Sequence, residues 1–104
     1  MMTRTQLLLL KLAEEAAEVS QIALKAAQFG LDDVWDKVAP LSVRDRLHGE
    51  LDDLLGVVML LNLEANLGFE SDPARVQAKA EKVNRYATLS AELGMVEGAS
   101  GSSL

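Results

Sequence analysis

The segment Leu54-Leu55-Gly56-Val57-Val58-Met59-Leu60-Leu61 has no polar side. Read as helix, it carries apolar groups around its whole circumference and has to be covered on every side. It is far shorter than the roughly 20 apolar residues that span a bilayer, so the cover must be protein. A chain of 104 residues is one domain with a modest core of its own. The run therefore predicts a dimer or larger assembly with this helix near the interface.

Leu and Ala dominate the apolar content, a mixture that favours helix over strand. Gly30, Pro40, Gly68, Pro73 and Gly94 divide the chain into segments of helical periodicity. The first helix is expected over 4–29, with Thr3 and Gln6 as a capping box and Gly30 just past its end. Its buried face is expected to hold Leu8, Leu12, Ala16, Val19, Ala23, Ala26 and Ala27. Lys11, Glu14, Glu18, Gln21 and Lys25 form the opposite stripe, and Glu15 lies at the edge between the two. A short helix is expected over 32–38, ended by Pro40. Ser42 caps a helix over 43–67 that Gly68 stops, and Asp72-Pro73 opens a last helix over 73–93. The fold class is thus all-α, a four-helix bundle-type module over 1–94, with a disordered tail over 95–104. The four breakers between 30 and 73 disfavour a plain coiled coil.

Charge and composition exclude several function classes. Sixteen acids against ten bases give a net charge of −6, which argues against nucleic acid and anionic membranes as partners. A hydrophobic content of 49% is too high for a disordered chain. The lack of cysteine rules out disulfides and thiolate metal sites, and it suits a reducing compartment. Leu7 to Leu10 is too short for a signal core, so the expectation is a soluble, cytoplasmic protein.

Two groups of acids stand apart. Glu14-Glu15-x-x-Glu18 lies in the middle of the first helix, and Glu50-x-x-Asp53 lies just before the apolar run. Residues three or four apart share a helix face, so Glu15 with Glu18, and Glu50 with Asp53, are matched pairs of oxygen ligands. If the two helices pack antiparallel, these acids converge, with no basic residue placed beside them by the spacing. A hard divalent cation relieves such crowding; Mg²⁺ takes carboxylates, water and substrate phosphates. A Glu-Glu-x-x-Glu string is equally the composition of a solvated, helix-favouring surface, and both readings stay open on spacing alone.

The same residues carry a family resemblance. Glu14-Glu15-Ala-Ala-Glu18 followed by Glu50-Leu-Asp-Asp53-Leu-Leu resembles the EExxE and ExxD pair of the MazG-like, all-α nucleoside triphosphate pyrophosphohydrolases. The likeness covers the three long helices and says least about the segment 31–49, around Trp35. It implies a four-helix module assembled as a homodimer or homotetramer. It also implies Mg²⁺, or Mn²⁺ in its place, held by Glu15, Glu18, Glu50 and Asp53. Glu14 would be a further ligand or the group that orients or deprotonates the attacking water. The substrate would be a nucleoside triphosphate cleaved to monophosphate and pyrophosphate. Lys79, Lys82 and Arg85 in the last helix resemble the family's phosphate contacts, and Arg75, Lys79, Lys82 and Tyr86 share one face there.

Other residues read plainly. His48 sits at the rim or surface, Trp35 anchors the short helix, and Met59 and Asn62 belong to the core, where Asn62 needs a hydrogen-bond partner. Two other functions fit the pattern: a phosphoribosyl-ATP or deoxynucleotide-specific hydrolase of the same fold, and a non-enzymatic helical dimerisation or adaptor module.

Overall fold

The computed structural model describes residues 1–34 and 40–97. They form an all-α chain of three helices: α1, Arg4–Phe29; α2, Val43–Ala65; and α3, Pro73–Glu92. Among the described residues there is no sheet, only an isolated antiparallel bridge between Val34 and Ser42. No helix among them is long and apolar enough to cross a membrane. The chain divides into two compact units, Met1–Phe69 and the remainder from Glu70.

Helix α1 starts where its cap places it. The Gln6 amide donates to Thr3 Oγ1 at 3.0 Å, and the Thr3 amide donates to Gln6 Oε1 at 2.8 Å. At the other end Gly30 takes a positive φ of 96°, and its amide donates to the Ala26 carbonyl. The short helix expected over 32–38 is not formed in its described part. Leu31 and Asp32 make a turn, and Val34 enters the bridge; residues 35–39, with Trp35, lie outside the described residues. The reason lies in where the backbone bonds go. The Val43 amide donates to the Asp33 carbonyl and the Arg44 amide to the Leu31 carbonyl, so 31–34 clasps the start of α2 instead of coiling on itself. Arg44 Nε donates to Asp32 Oδ1 at 3.1 Å across the same clasp.

Ser42 Oγ accepts from the Asp45 amide and caps α2. The helix ends earlier than the glycine at 68 suggests. Asn66 adopts the left-handed region at φ 52°, a conformation its short polar side chain tolerates, and stops the helix at Ala65. Asn62 then ties the following loop back. Its Nδ2 donates to the Phe69 carbonyl at 3.0 Å, and its Oδ1 accepts from the Phe69 amide at 2.9 Å. That pair supplies the partners a buried-side amide requires.

Helices α1 and α2 pack antiparallel, with Arg4 near the start of one paired to Glu64 near the end of the other at 2.8 Å. Both present a seam at alternating steps of four and three. On α1 it runs Leu8, Leu12, Glu15, Val19, Ile22, Ala26; on α2 it runs Val43, Leu47, Glu50, Leu54, Val57, Leu61. Leu8, Ile22, Val43 and Leu61 are buried and anchor its two ends. The expected α1 face is rotated by this register, leaving Ala16, Ala23 and Ala27 exposed and drawing in Ile22 and Glu15. The seam is regular except that its third position is a glutamate on both helices.

Helix α3 belongs to the second unit. Asp72 Oδ1 accepts from the Ala74 and Arg75 amides, and Pro73 occupies the first turn. It closes in a Schellman motif: the Met95 amide donates to the Ser90 carbonyl and the Gly94 amide to the Ala91 carbonyl, with Gly94 at φ 75°. Most of the tail expected over 95–104 lies outside the described residues.

Candidate metal centre

The antiparallel register carries the acids together. Counting eleven residues on from Arg4 and back from Glu64 sets Glu15 opposite Asp53; counting fourteen sets Glu18 opposite Glu50. Glu15, Glu50 and Asp53 each bring one carboxylate oxygen within 4.8 Å of the others. Ligand oxygens on opposite sides of one cation lie about 4.2 Å apart for Mg²⁺ and about 5 Å apart for Ca²⁺. The three groups are thus gathered close to the span of a single divalent ion.

Burial makes that gathering costly. Glu15 and Glu50 are half-buried in the seam, while Asp53 and Glu18 stand at its exposed edge. One oxygen of each seam glutamate, Oε2, is shielded from solvent and has no hydrogen-bond partner. An ionised carboxylate left so is destabilised by lost hydration. Accordingly the Glu15 carboxyl is pushed above the usual range, first by burial and then by the charges of Glu18, Asp53 and Glu14. Glu50 is pushed up as well, first by hydrogen bonding with Glu18, then by burial and the nearby acids. Orphaned oxygens, carboxylates only, and proton affinities raised by crowding together make a donor set that suits a hard cation.

Glu14 is placed differently. It is exposed and pairs with Lys11 Nζ at 3.0 Å, and it raises Glu15 only as the weakest of the neighbouring influences. Lys79, Lys82 and Arg85 are exposed on α3, in the second unit, whereas the carboxylate cluster is built wholly from the first. His48 is exposed.

A groove of about 270 Å³ opens beside the cluster, lined by Glu18, Gln21, Ile22, Lys25, Arg46 and Glu50. It corrects one expectation from spacing, because it brings two basic residues alongside the acids. Sequence periodicity had set Lys25 on the outward stripe and given Arg46 no role. The signal was present: Arg46 precedes Glu50 by one helical turn, and Lys25 follows Glu18 by two. A larger depression of about 440 Å³ near the start of α1 is lined by Met2, Gln6, Leu9 and Leu10, and none of these described residues is titratable. The smaller groove is the chemically equipped one.

Compared with known proteins, the chain matches no family model, no curated protein and no solved structure.

Proposed function

We propose that the protein is a Mg²⁺-dependent nucleoside triphosphate pyrophosphohydrolase of the MazG-like kind, with Mn²⁺ able to replace Mg²⁺. The observation that carries this reading is the convergence of Glu15, Glu18, Glu50 and Asp53 from two antiparallel helices, two of them inside an otherwise apolar seam. Apolar residues would complete the seam at less cost, and acids in such positions are most economically explained by a bound cation. Glu15, Glu50 and Asp53 would hold it, with Glu18 alongside.

When bound, the cation neutralises charge on the phosphoryl oxygens and lowers the pKa of a water in its shell. The chain's own part is positioning. In the reaction, water adds to the α-phosphorus and the bond from that phosphorus to the bridging oxygen breaks. Pyrophosphate leaves with the electron pair. The proton lost by the water passes to Glu14, which lies outside the seam, next to the ligand Glu15, and is accessible to solvent. Lys11 at 3.0 Å steadies the carboxylate that receives it.

A second copy of the chain belongs to this reading. Leu51, Leu55, Met59 and Leu63 repeat every fourth residue along α2 and are 42%, 59%, 61% and 73% exposed. They are the uncovered side of the run that has no polar face, and a dimer or tetramer would bury them. Gel filtration at the mass of a single chain removes that assembly.

The function is tested by incubating the protein with each NTP and dNTP plus Mg²⁺ and measuring pyrophosphate. Release abolished by EDTA and by Glu50→Gln or Asp53→Asn is the expected result. Full activity in both variants refutes the site, and no release from any nucleotide refutes the activity.

A further inference from the structure

A helix with one neighbour needs one apolar stripe, and α1 has two. The residue after each seam position lies about 100° further round the helix. On α1 these next residues are Leu9, Ala13, Ala16, Ser20, Ala23 and Ala27, all small or apolar and all exposed. Leu10, Ala17 and Leu24 continue the stripe outward. Charge is confined elsewhere on α1. Arg4, Lys11, Glu18 and Lys25 form one line at seven-residue spacing, with Glu14 beside it and Glu15 in the seam. Helix propensity accounts for exposed alanine, but not for Leu9, Leu10 and Leu24 at 49%, 50% and 67% exposure.

The same step along α2 gives Arg44, His48, Leu51, Leu55, Val58 and Asn62, apolar at its middle. The two helices run oppositely, so turning the same way from their shared seam brings both stripes to one side of the pair. We propose that a second copy of the chain covers this face, with α1 packed antiparallel on α1 about a two-fold axis centred between residues 14 and 15. The proposal deepens the assembly described above by giving it a face and a register, and it holds whether or not the chain hydrolyses nucleotides.

The stripe fits itself end for end. In this register Met2 faces the partner's Ala27, Gln6 faces the partner's Ala23, and Leu9 faces the partner's Ser20. Ala13 faces the partner's Ala16 at the centre, where small side chains let the helix axes approach to about 8 Å. Bulky groups of the first half thus meet small ones of the second, and the two-fold repeats each pair. No pair brings like charges together. The depression of about 440 Å³ lined by Met2, Gln6, Leu9 and Leu10 lies at the bulky end, where the last turns of the partner's α1 would lie. Self-complementarity is what an isologous contact requires, and a face for a different partner has no need of it. Size agrees. Two helices of about 23 residues present a face about 35 Å long and about 20 Å wide, or roughly 700 Å², against the roughly 800 Å² per partner of a stable interface.

The wild type has no cysteine, so introduced cysteines read the contact directly. A disulfide needs Cα atoms within about 7 Å, and the neighbouring register moves the partner by seven residues, about 10 Å. Full-length Leu9→Cys and Ser20→Cys chains are mixed, equilibrated and oxidised. A crosslinked dimer that forms in the mixture, and from neither chain alone, is the expected result. Crosslinking of Leu9→Cys with Ala27→Cys in its place overturns the register, and no crosslink in either mixture overturns the contact. Analytical ultracentrifugation of two further variants separates this face from the outward row of α2. Ala16→Arg buries an unpaired charge at the centre and should raise the dimer Kd about 100-fold or more. Leu63→Glu, off the face, should change it by less than about threefold. Dissociation by Leu63→Glu and not by Ala16→Arg overturns this face and leaves the α2 row, whereas a wild type that stays at the mass of one chain overturns both. If Ala16→Arg does not fold, the cysteine pairs decide.

Discussion

Replacing Glu50 by Gln should stabilise the metal-free protein at neutral pH and abolish its stabilisation by Mg²⁺. Glu15 and Glu50 are held above the usual carboxylate range by burial and by each other's neighbours. The folded state therefore holds more protons than the unfolded one between the ordinary Glu value of about 4.3 and the raised folded value. Stability changes with pH as the protons bound by the unfolded state minus those bound by the folded state, a negative difference in this window. The contribution of these carboxyls is thus fully present below the unfolded pKa and is lost as pH rises through the folded one. Taking about one extra proton for the crowded pair as the scale, the folded-to-unfolded ratio falls by at most about tenfold per pH unit. Glutamine removes the charge and keeps the shape, so the pH-dependent loss should shrink in Glu50→Gln. Mg²⁺ acts from the other side. At 100 times its dissociation constant a ligand of the folded state adds about 2.7 kcal/mol. For a domain of 60–100 residues each kcal/mol moves Tm by about 4–8 °C, so the wild type should gain about 10–20 °C. Thermal melts at pH 5.5 and 7.5, in EDTA and in Mg²⁺, measure both effects, and the comparison of variant with wild type removes the titration of groups elsewhere. A Glu50→Gln variant less stable than wild type in EDTA at pH 7.5, with no Mg²⁺ shift in wild type, would mean that these acids make structural contacts and hold no metal.

Four further outcomes are expected. Leu61→Ala should cost about 2–5 kcal/mol in denaturant unfolding, because Leu61 is 2% exposed at one end of the seam. Leu63→Ala, at 73% exposure, should change stability by less than about 0.5 kcal/mol in the isolated chain. Asn62→Ala should cost about 1–2 kcal/mol by breaking both bonds to Phe69, and hydrogen exchange at the Phe69 amide should accelerate. Glu14→Gln should lower kcat by about 10²–10⁴ while leaving Mn²⁺ affinity unchanged, whereas Glu15→Gln should lose the metal; equal loss of metal in both removes the division of roles.

The helices were legible because their ends are written in local chemistry. Thr3 with Gln6, Ser42, and Asp72 with Pro73 each satisfy amides that helix starts leave open, and such bonds depend on residues no more than three apart. Segment 31–34 was misread because its bonds are not local: its carbonyls serve amides ten or more residues on, which a periodicity argument does not see. Asn66 stopped α2 before Gly68 for a related reason, since several residues there suit the left-handed region and the chain needs only the first of them. The acids were found by their spacing, but the depth of Glu15 was not. Expecting one broad α1 face put Ala16 and Ala23 inside, whereas pairing with a single neighbouring helix narrows the buried stripe to the four-three seam. Lys25 and Arg46 escaped notice because their value depends on the facing helix, and each alone reads as an ordinary surface charge.

That narrow seam sharpens the argument for a site. Each of its two stripes has six positions, and five on each are apolar; the sixth is glutamate, at the same step on both helices. A surface acid needs no explanation, but two acids facing inward at matching depth weaken the packing of α1 against α2. Nothing in helix propensity or solubility favours that placement, since Glu14 and Glu18 already serve solvent on the same turn. Positions where local rules are broken in concert are where function is expected to sit. A bound cation would supply a compensating contact from outside the chain. A cation that binds only when both stripes are in register would repair the seam and assemble the site in one event, so that folding and metal affinity rise together.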